Sequence, residues 1–196
     1  NYRVSVAERI FPAADVSEQI STAGFEASGT SNMKFMVNGA LTLGTMDGAN
    51  IEIINEAGKE NAFVFGLSAE EIIKMETEHS YNPQEYLGRN PELSRVVQQL
   101  VDGTYDPTHQ EFKELYDSLV YGVEGQRPDV FYVLADFDAY CKVHEEVEAA
   151  YKNTKAWARK ALFNIANSGK FSSDRTIEEY VRDIWHLKKV TPSADV

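Results

Sequence analysis

Short apolar stretches alternate with helical patterns over the first third of the chain. The stretches ALTLG (residues 40–44) and AFVFG (residues 62–66) are nearly continuous in apolar residues. Such runs are typical of strands in a parallel sheet with helices on both faces. Residues 2–6 are predicted as a further strand. Helices are predicted over residues 7–13, 32–38 and 50–57. The order is βαβ, which predicts an α/β fold with right-handed crossovers.

Beyond residue 66 the strand patterns stop and helical patterns take over. Ser68 and Glu71 have the spacing of a capping box and predict a helix that continues to about Glu78. Thr176 and Glu179 have the same spacing and predict another helix start near the end of the chain. The last helix carries an apolar stripe at helical spacing, so one of its faces should be covered. The stripe consists of Ile177, Tyr180, Val181, Ile184 and Trp185.

These patterns divide the chain into parts of one domain. Residues 1–66 are predicted as its βαβ part, and residues 67–187 as a helical part of the same domain. Residues 188–196 are predicted as a frayed tail. We therefore expect parallel strands followed by a helical C-terminal region.

The composition is that of an ordinary globular protein, with 43% hydrophobic and 26% charged residues among 196. Nineteen basic and 31 acidic residues give a formal net charge of −12. This charge repels nucleic acids and acidic membranes, so neither is expected as a partner. A small phosphate could still bind locally, because backbone amides and one lysine outweigh distant, screened carboxylates.

Cysteine and histidine usage argues against a disulfide framework or a metal site. The single Cys141 cannot form an internal disulfide, and the four histidines lack zinc-ligand spacing. No apolar run is long enough to cross a bilayer, and the start lacks a signal-peptide pattern. We expect a cytoplasmic protein without a metal. Because the chain begins with Asn1 inside a predicted strand, we also expect it to be part of a longer polypeptide.

Residues 26–35, EASGTSNMKF, place a lysine behind a run of small and polar residues. Gly29 can adopt a positive φ, and the amides of the following helix start can form an anion nest. A phosphate at Gly29, Thr30 and Ser31 would lie within about one helical turn of Lys34. This closeness suits pyridoxal phosphate, whose aldehyde and phosphate arm occupy neighbouring ring carbons. The spacing alone leaves open a helix cap followed by a solvated lysine.

A nucleotide-binding P-loop fits the same segment less well. That motif needs glycine immediately before the lysine and Ser or Thr immediately after it. Met33 and Phe35 occupy those two places.

Two long blocks of the sequence resemble a known family. The first begins with NYRVSVAE and continues as PAADVSEQISTAGFEASGTSNMKFMVNGALTLGTMDGANIEI, and the second is NIANSGKFSSDRTIEEYVRDIW. Together they resemble the C-terminal domain of the α-glucan phosphorylases, the glycogen, starch and maltodextrin enzymes. The resemblance covers almost the whole chain. It implies part of the C-terminal Rossmann-like domain of a two-domain glycosyltransferase fold of the GT-B type.

The resemblance implies a cofactor site on named positions. It places the Schiff base with pyridoxal 5′-phosphate on Lys34. The amides around Gly29, Thr30 and Ser31, with the Thr30 hydroxyl, would hold the cofactor phosphate, and Tyr2 would lie near the cofactor. Ser31 departs from the family pattern, in which many members have glycine, so the amide geometry there should differ slightly.

The resemblance also implies a substrate site and a reaction. Glu26, with the amides of Ala27, Ser28 and Gly29, would bind the hydroxyls of the terminal glucose, and a carboxylate suits that role because charged acceptors bind strongly. The cofactor phosphate would act as general acid and base, since its second pKa of about 6 allows proton transfer at neutral pH. Lys34 and Glu26 are thus the expected catalytic residues.

The implied reaction is phosphorolysis of α-1,4-glucan by inorganic phosphate to α-glucose 1-phosphate. The full-length enzyme is expected to be a homodimer, and this portion alone is expected to be inactive without its N-terminal portion. Two alternatives stay open: a nucleotide-sugar glycosyltransferase domain, and a non-catalytic remnant.

Other polar residues are expected to have structural roles. His144 is expected to be packed or half-exposed on its helix, and Asp47 to serve a turn and helix start with Gly48. Lys170 and Arg175 are expected to pair with neighbouring acids. The tyrosines do not gather into an evident sugar-stacking platform.

Overall fold

The computed structural model describes residues 2–188 and residue 190, and it has an α/β architecture. Three short strands lie in the first third of the chain: β1 (Val16–Gln19), β2 (Leu41–Gly44) and β3 (Phe63–Val64). All strand pairs are parallel, in the order β1-β2-β3. Val16 pairs with Leu41, and Leu43 pairs with Phe63.

Helices connect the strands and predominate in the rest of the described chain, with loops between them. The helices up to α5 are α1 (Val4–Ile10), α2 (Ser31–Val37), α3 (Asn50–Ala57), α4 (Ala69–Glu78) and α5 (Pro83–Arg89). The later helices are α6 (Pro91–Gln98), α7 (Lys113–Val120), α8 (Val133–Tyr151), α9 (Thr154–Asn167) and α10 (Ser173–Glu179). A π-helical segment, Tyr180–Trp185, continues from α10. Short 3₁₀ turns occupy Phe11–Ala13, Lys59–Asn61 and Ser168–Phe171.

The main core joins the sheet to the two longest helices. Leu41 and Leu43 of β2 are fully buried, and they pack in one cluster with Val143 of α8 and Trp157 of α9. Helix α9 also contacts α2 and α3, whose own cluster contains Met36 and Ile53. A separate apolar cluster joins α6, α7 and the start of α8. Burial of such side chains is the main favourable contribution to folding, about 25 cal/mol per Å² of apolar surface.

Several predicted elements are confirmed. Helix α3 occupies residues 50–57 as predicted, and α2 begins one residue before its predicted start. Ser68 accepts the Glu71 amide at 3.2 Å, and the Glu71 carboxylate accepts the Ser68 amide at 2.8 Å. This reciprocal pair is the predicted capping box. The predicted strands at 40–44 and 62–66 are present as the shorter β2 and β3.

The predicted strand at residues 2–6 is wrong. That segment begins helix α1, in which the Arg3 carbonyl accepts the amides of Val6 and Ala7. Val4 and Val6 favour a strand by their branching, but Val4 is 73% exposed. Among the described residues no neighbouring strand pairs with this segment, so strand propensity gains no packing there. The strand that opens the sheet is instead β1.

The second predicted capping box is also wrong. Helix α10 already begins at Ser173, and Thr176 lies inside it with its hydroxyl donating to the Ser172 carbonyl at 3.2 Å. The apolar stripe of the last helix is divided between α10 and the π-helical segment. Its members Ile177, Tyr180, Ile184 and Trp185 remain between 44% and 60% exposed, so the described residues do not cover the face that the stripe predicts to be buried.

Candidate functional site

The predicted site residues lie where β1 and β2 end. Residues 20–30 lead from β1 into α2, and residues 45–49 lead from β2 into α3. Because both strands are parallel, the two loops and the two helix starts meet at the same edge of the sheet. In open parallel sheets, ligands bind in the crevice outside the carboxyl ends of the strands.

The two loops are tied together by short contacts. The Asp47 carboxylate accepts the Glu26 amide at 2.7 Å, and the Ser28 carbonyl accepts the Ala49 amide at 2.6 Å. Gly48 has a φ of +48°, and a Cβ there would overlap the Ser28 carbonyl oxygen. Only glycine permits this approach of the two backbones. Asp47 and Gly48 therefore have the expected turn role, and Asp47 in addition anchors the loop that carries Glu26.

Two buried asparagines join the start of α2 to the start of α3. Asn32 of α2 donates from Nδ2 to Asn50 Oδ1 at 3.0 Å, and Asn50 of α3 donates to the Thr45 carbonyl at 3.1 Å. Both asparagines are at most 4% exposed. The sequence patterns do not predict this contact. The available signal was that an asparagine stands near the start of each of the two helices that follow parallel strands.

The start of α2 has the donor set of an anion nest. Gly29 has a φ of +86°, and the amides of Thr30, Ser31 and Asn32 have no acceptor among residues 2–188 and 190. A Cβ at Gly29 would lie 3.1 Å from the Asn32 side chain, and this tight approach together with the positive φ favours glycine here. A row of free amides behind a positive-φ glycine suits a phosphate group.

Lys34 is exposed and lies one turn into α2. Its ammonium nitrogen is 5.6 Å from the centroid of the Phe11 ring, which in turn makes an edge contact with Phe35. In the part of the chain that the structure describes, no carboxylate lies within ion-pair distance of Lys34. The amine is therefore not committed to a structural ion pair.

The remaining predicted site residues divide into two groups. The segment with Glu26, Ala27 and Ser28 is exposed and directly precedes the nest in the chain, and Glu26 Oε2 accepts from the Ser21 hydroxyl at 3.2 Å. Tyr2 forms the second group. It precedes α1 and is 70% exposed, and no hydrogen bond or ring contact joins it to the other described residues.

His144, Lys170 and Arg175 have the structural roles expected for them. His144 is partly exposed beside Tyr140, with its Nδ1 3.7 Å from Glu148. Lys170 pairs with Glu56 at 2.7 Å, and Arg175 pairs with Glu179 at 2.5 Å. Tyr81 contacts both Tyr86 and Tyr132, but Arg127 lies over Tyr81 and Tyr132, so this group does not contradict the expectation that the tyrosines form no sugar-stacking platform.

Neither a metal cluster nor a membrane-spanning helix is found in the described parts of the chain. Residues 2–188 and 190 contain no group of three or more His, Cys, Asp or Glu side chains placed to hold a metal ion. Over the same residues, no helix combines the length and the apolar character needed to cross a bilayer.

Comparison with known proteins identifies the family of the chain. A family model described as carbohydrate phosphorylase matches residues 1–187. The chain belongs to the carbohydrate phosphorylase family. Its relatives include human muscle glycogen phosphorylase at 54% identity over 189 residues, the rabbit muscle form at 53% and the rat brain form at 52%. Each alignment covers 96% of this chain but only 22% of the relative. This phosphorylase chain thus spans about a fifth of the length of its relatives, and the nucleotide-sugar alternative is not favoured.

Proposed function

We propose that this chain is the C-terminal portion of an α-glucan phosphorylase that releases α-glucose 1-phosphate from glycogen or a related α-1,4-glucan. The family match over residues 1–187 and the names of the relatives support this proposal. The 22% coverage supports a longer enzyme, in which the parallel sheet would be part of the second domain of a GT-B fold. A cytoplasmic location and a homodimeric full-length enzyme remain predictions.

The observation that carries the proposal is the nest at Gly29 with Lys34 behind it. The free amides of Thr30, Ser31 and Asn32 fit a phosphate, and the unpaired Lys34 amine fits an aldehyde. These residues would hold pyridoxal 5′-phosphate, with Tyr2 near its ring. When bound, the cofactor would supply a phosphate group that works as general acid and base.

The loop before the nest would bind the sugar. The Glu26 carboxylate can accept hydrogen bonds from two adjacent glucose hydroxyls, and the amides of Ala27, Ser28 and Gly29 can donate to their oxygens. Asp47 supports this by fixing the Glu26 amide. Inorganic phosphate would then accept the terminal glucosyl unit, which leaves a glucan that is one residue shorter. The substrate phosphate and most of the glucan would contact residues outside this chain, so the chain alone is proposed to be inactive.

Borohydride trapping of the full-length protein tests the cofactor assignment. Reduction followed by peptide mapping is expected to find a pyridoxyl group on Lys34. Lys34→Ala should abolish covalent cofactor, whereas Lys74→Ala, which removes an exposed lysine of α4, should not. Stoichiometric covalent cofactor in Lys34→Ala would refute the assignment, and a folded protein with an unmodified lysine would favour a non-catalytic remnant.

A further inference from the structure

A cavity lies between the end of α4 and the loop that leads into α8. Its volume is about 370 Å³, room for about a dozen water molecules at roughly 30 Å³ each. It shares no lining residue with the loops at residues 20–30 and 45–49. The lining consists of Met75, Glu76, His79, Tyr81, Arg127 and Tyr132.

A buried hydroxyl group without a partner lies in this cavity. Tyr132 is fully buried, and its hydroxyl oxygen has no hydrogen-bond partner among the residues that the structure describes. The ring itself is well fixed, because the Tyr81 ring packs at 4.6 Å and the Arg127 guanidinium at 4.4 Å from its centroid. Buried polar atoms are nearly always hydrogen-bonded, so an exception calls for an explanation, such as a ligand.

Two of the polar side chains around Tyr132, those of Tyr81 and Arg127, are engaged elsewhere. The Tyr81 hydroxyl donates to the Asp129 carboxylate. Arg127 donates to the carbonyls of Asp129 at 3.0 Å and Val130 at 3.2 Å. Its guanidinium also forms an ion pair with Glu76 at 3.6 Å. The Glu76 carboxylate lies near the Tyr132 hydroxyl and lines the same cavity, so a ligand there could contact both groups. Burial raises the pKa of Tyr132, Arg127 opposes this change, and Glu76 adds to it.

The charges around the cavity restrict the class of ligand. Glu76 and Arg127 carry opposite charges and lie 3.6 Å apart, so they largely neutralise each other and the lining favours neither an anion nor a cation. A neutral hydroxyl group can accept from Tyr132 or Arg127 and donate to Glu76 at the same time. The tyrosine faces are covered by each other and by Arg127, so a ligand would bind through its hydroxyls and not by stacking on a ring.

We infer that the cavity between α4 and α8 binds a neutral, hydroxyl-rich small molecule such as a short saccharide, with the Tyr132 hydroxyl as buried donor and Glu76 as acceptor. This cavity shares no lining residue with Lys34 or with the sugar-binding loop at Glu26, although Phe25 of that loop lies against the Tyr132 ring, with 6.3 Å between the ring centroids. Its volume lies near the lower end of the range of about 300–1,000 Å³ that is usual for small-molecule pockets.

Methionine-methyl NMR tests the site locally, because Met75 lines the cavity. The full-length protein is labelled at methionine methyl groups, and the Met75 signal is assigned with Met75→Leu. Maltotriose, up to about 10 mM, a range suited to weak binding, should shift this signal saturably, and inorganic phosphate and choline should not. Tyr132→Phe keeps the ring and removes the donor, so it should weaken maltotriose binding about tenfold.

The matched control is Tyr105→Phe, which removes an exposed hydroxyl outside the cavity and should leave binding unchanged. An unmoved Met75 signal with maltotriose would overturn the inference. So would a shift caused by phosphate or choline alone, or unchanged affinity in Tyr132→Phe. If Tyr132→Phe does not fold, Glu76→Gln replaces it, and the same loss of affinity is expected because the charged acceptor is removed.

Discussion

The Asp47 carboxylate holds the Glu26 amide at 2.7 Å, so a residue after β2 fixes the loop that follows β1. A hydrogen bond to a charged group contributes more than a neutral one. Because this bond holds the proposed sugar-binding loop and not the nest, its loss should separate sugar binding from cofactor binding.

Asp47→Ala should therefore raise KM for glucan about fivefold, which corresponds to about 1 kcal/mol, while cofactor content stays unchanged. Steady-state kinetics and cofactor absorbance on the full-length protein measure the two effects. Asp47→Asn keeps a neutral acceptor and should show a smaller increase. Loss of cofactor in Asp47→Ala would mean that the contact supports the nest instead.

The close approach of the two loops at Gly48 predicts a large effect of one added methyl group. Gly48→Ala should destabilise the protein by about 3 kcal/mol, because the residue has a positive φ and its Cβ would overlap the Ser28 carbonyl oxygen. Gly125 also has a positive φ of +79°, but nothing lies within 4 Å of its Cβ position. Gly125→Ala should then cost only about 1 kcal/mol. Equal losses in thermal or urea denaturation would show that the overlap has no effect.

The buried pair of Asn32 and Asn50 should show energetic coupling. Asn32→Ala leaves the Asn50 carbonyl oxygen without its donor and should cost about 2 kcal/mol of unfolding free energy. A double-mutant cycle with Asn50→Ala should give a coupling of about 1 kcal/mol. Urea denaturation measures all four proteins, and strict additivity would contradict a direct interaction.

The rings of Tyr132 and Tyr81 are in contact, but loss of the hydroxyl group should change the stability of the protein in opposite directions at the two positions. Without added saccharide, Tyr132→Phe should increase stability by about 1 kcal/mol, since it removes a buried hydroxyl that has no partner. Tyr81→Phe should decrease stability, because it removes the bond to Asp129. Thermal melts of both variants check this, and a destabilised Tyr132→Phe would reveal a partner for its hydroxyl.

Asp106 should make stability depend on acid pH. Hydrogen bonds from the amides of Glu111, Thr108 and Gln110 and from the Thr108 hydroxyl hold the pKa of this carboxyl well below its usual 3.8. The native state thus favours the ionised form, so the stabilisation is complete above pH 3.8 and declines as pH falls from there toward the native pKa.

Asp106→Ala should accordingly be less stable than the unmodified protein at pH 7, and the difference should shrink at about pH 3. Urea denaturation at the two pH values measures it. The matched control, Asp174→Ala, removes an exposed acid from the first turn of α10. A stability difference for Asp106→Ala that does not change with pH would contradict the hydrogen-bonded carboxylate.

Local patterns predicted some elements and missed others for physical reasons. Helix α3 and the capping box at Ser68 were predicted because their signals are contained within a few residues. Strand β1 was missed because its sequence, VSEQ, carries one apolar residue, and its buried Ser17 is a polar residue that gives no strand signal. The segment at residues 2–6 was assigned to a strand because strand propensity depends on neighbours that the sequence does not show.

The candidate site was predictable only in part. Gly29 and the amides after it follow from glycine and helix-start chemistry, and the structure has the positive φ and the free amides there. The roles of Lys34, Glu26 and Tyr2 came from the family resemblance and remain predictions. The Asp47–Glu26 bond joins residues 21 positions apart, so no local pattern could indicate it.

The contact of α9 with both α2 and α3 has a mechanical consequence. Ile165 of α9 lies 3.1 Å from the position that a Cβ would take on Gly39, directly after the lysine helix. Since packed interiors yield little to compression, this contact opposes movement of α2 toward α9. The Glu26 loop is held separately, through its bonds to Asp47 and Ala49. We therefore expect any opening or closing around Lys34 and Glu26 to come mainly from the part of the protein that faces them.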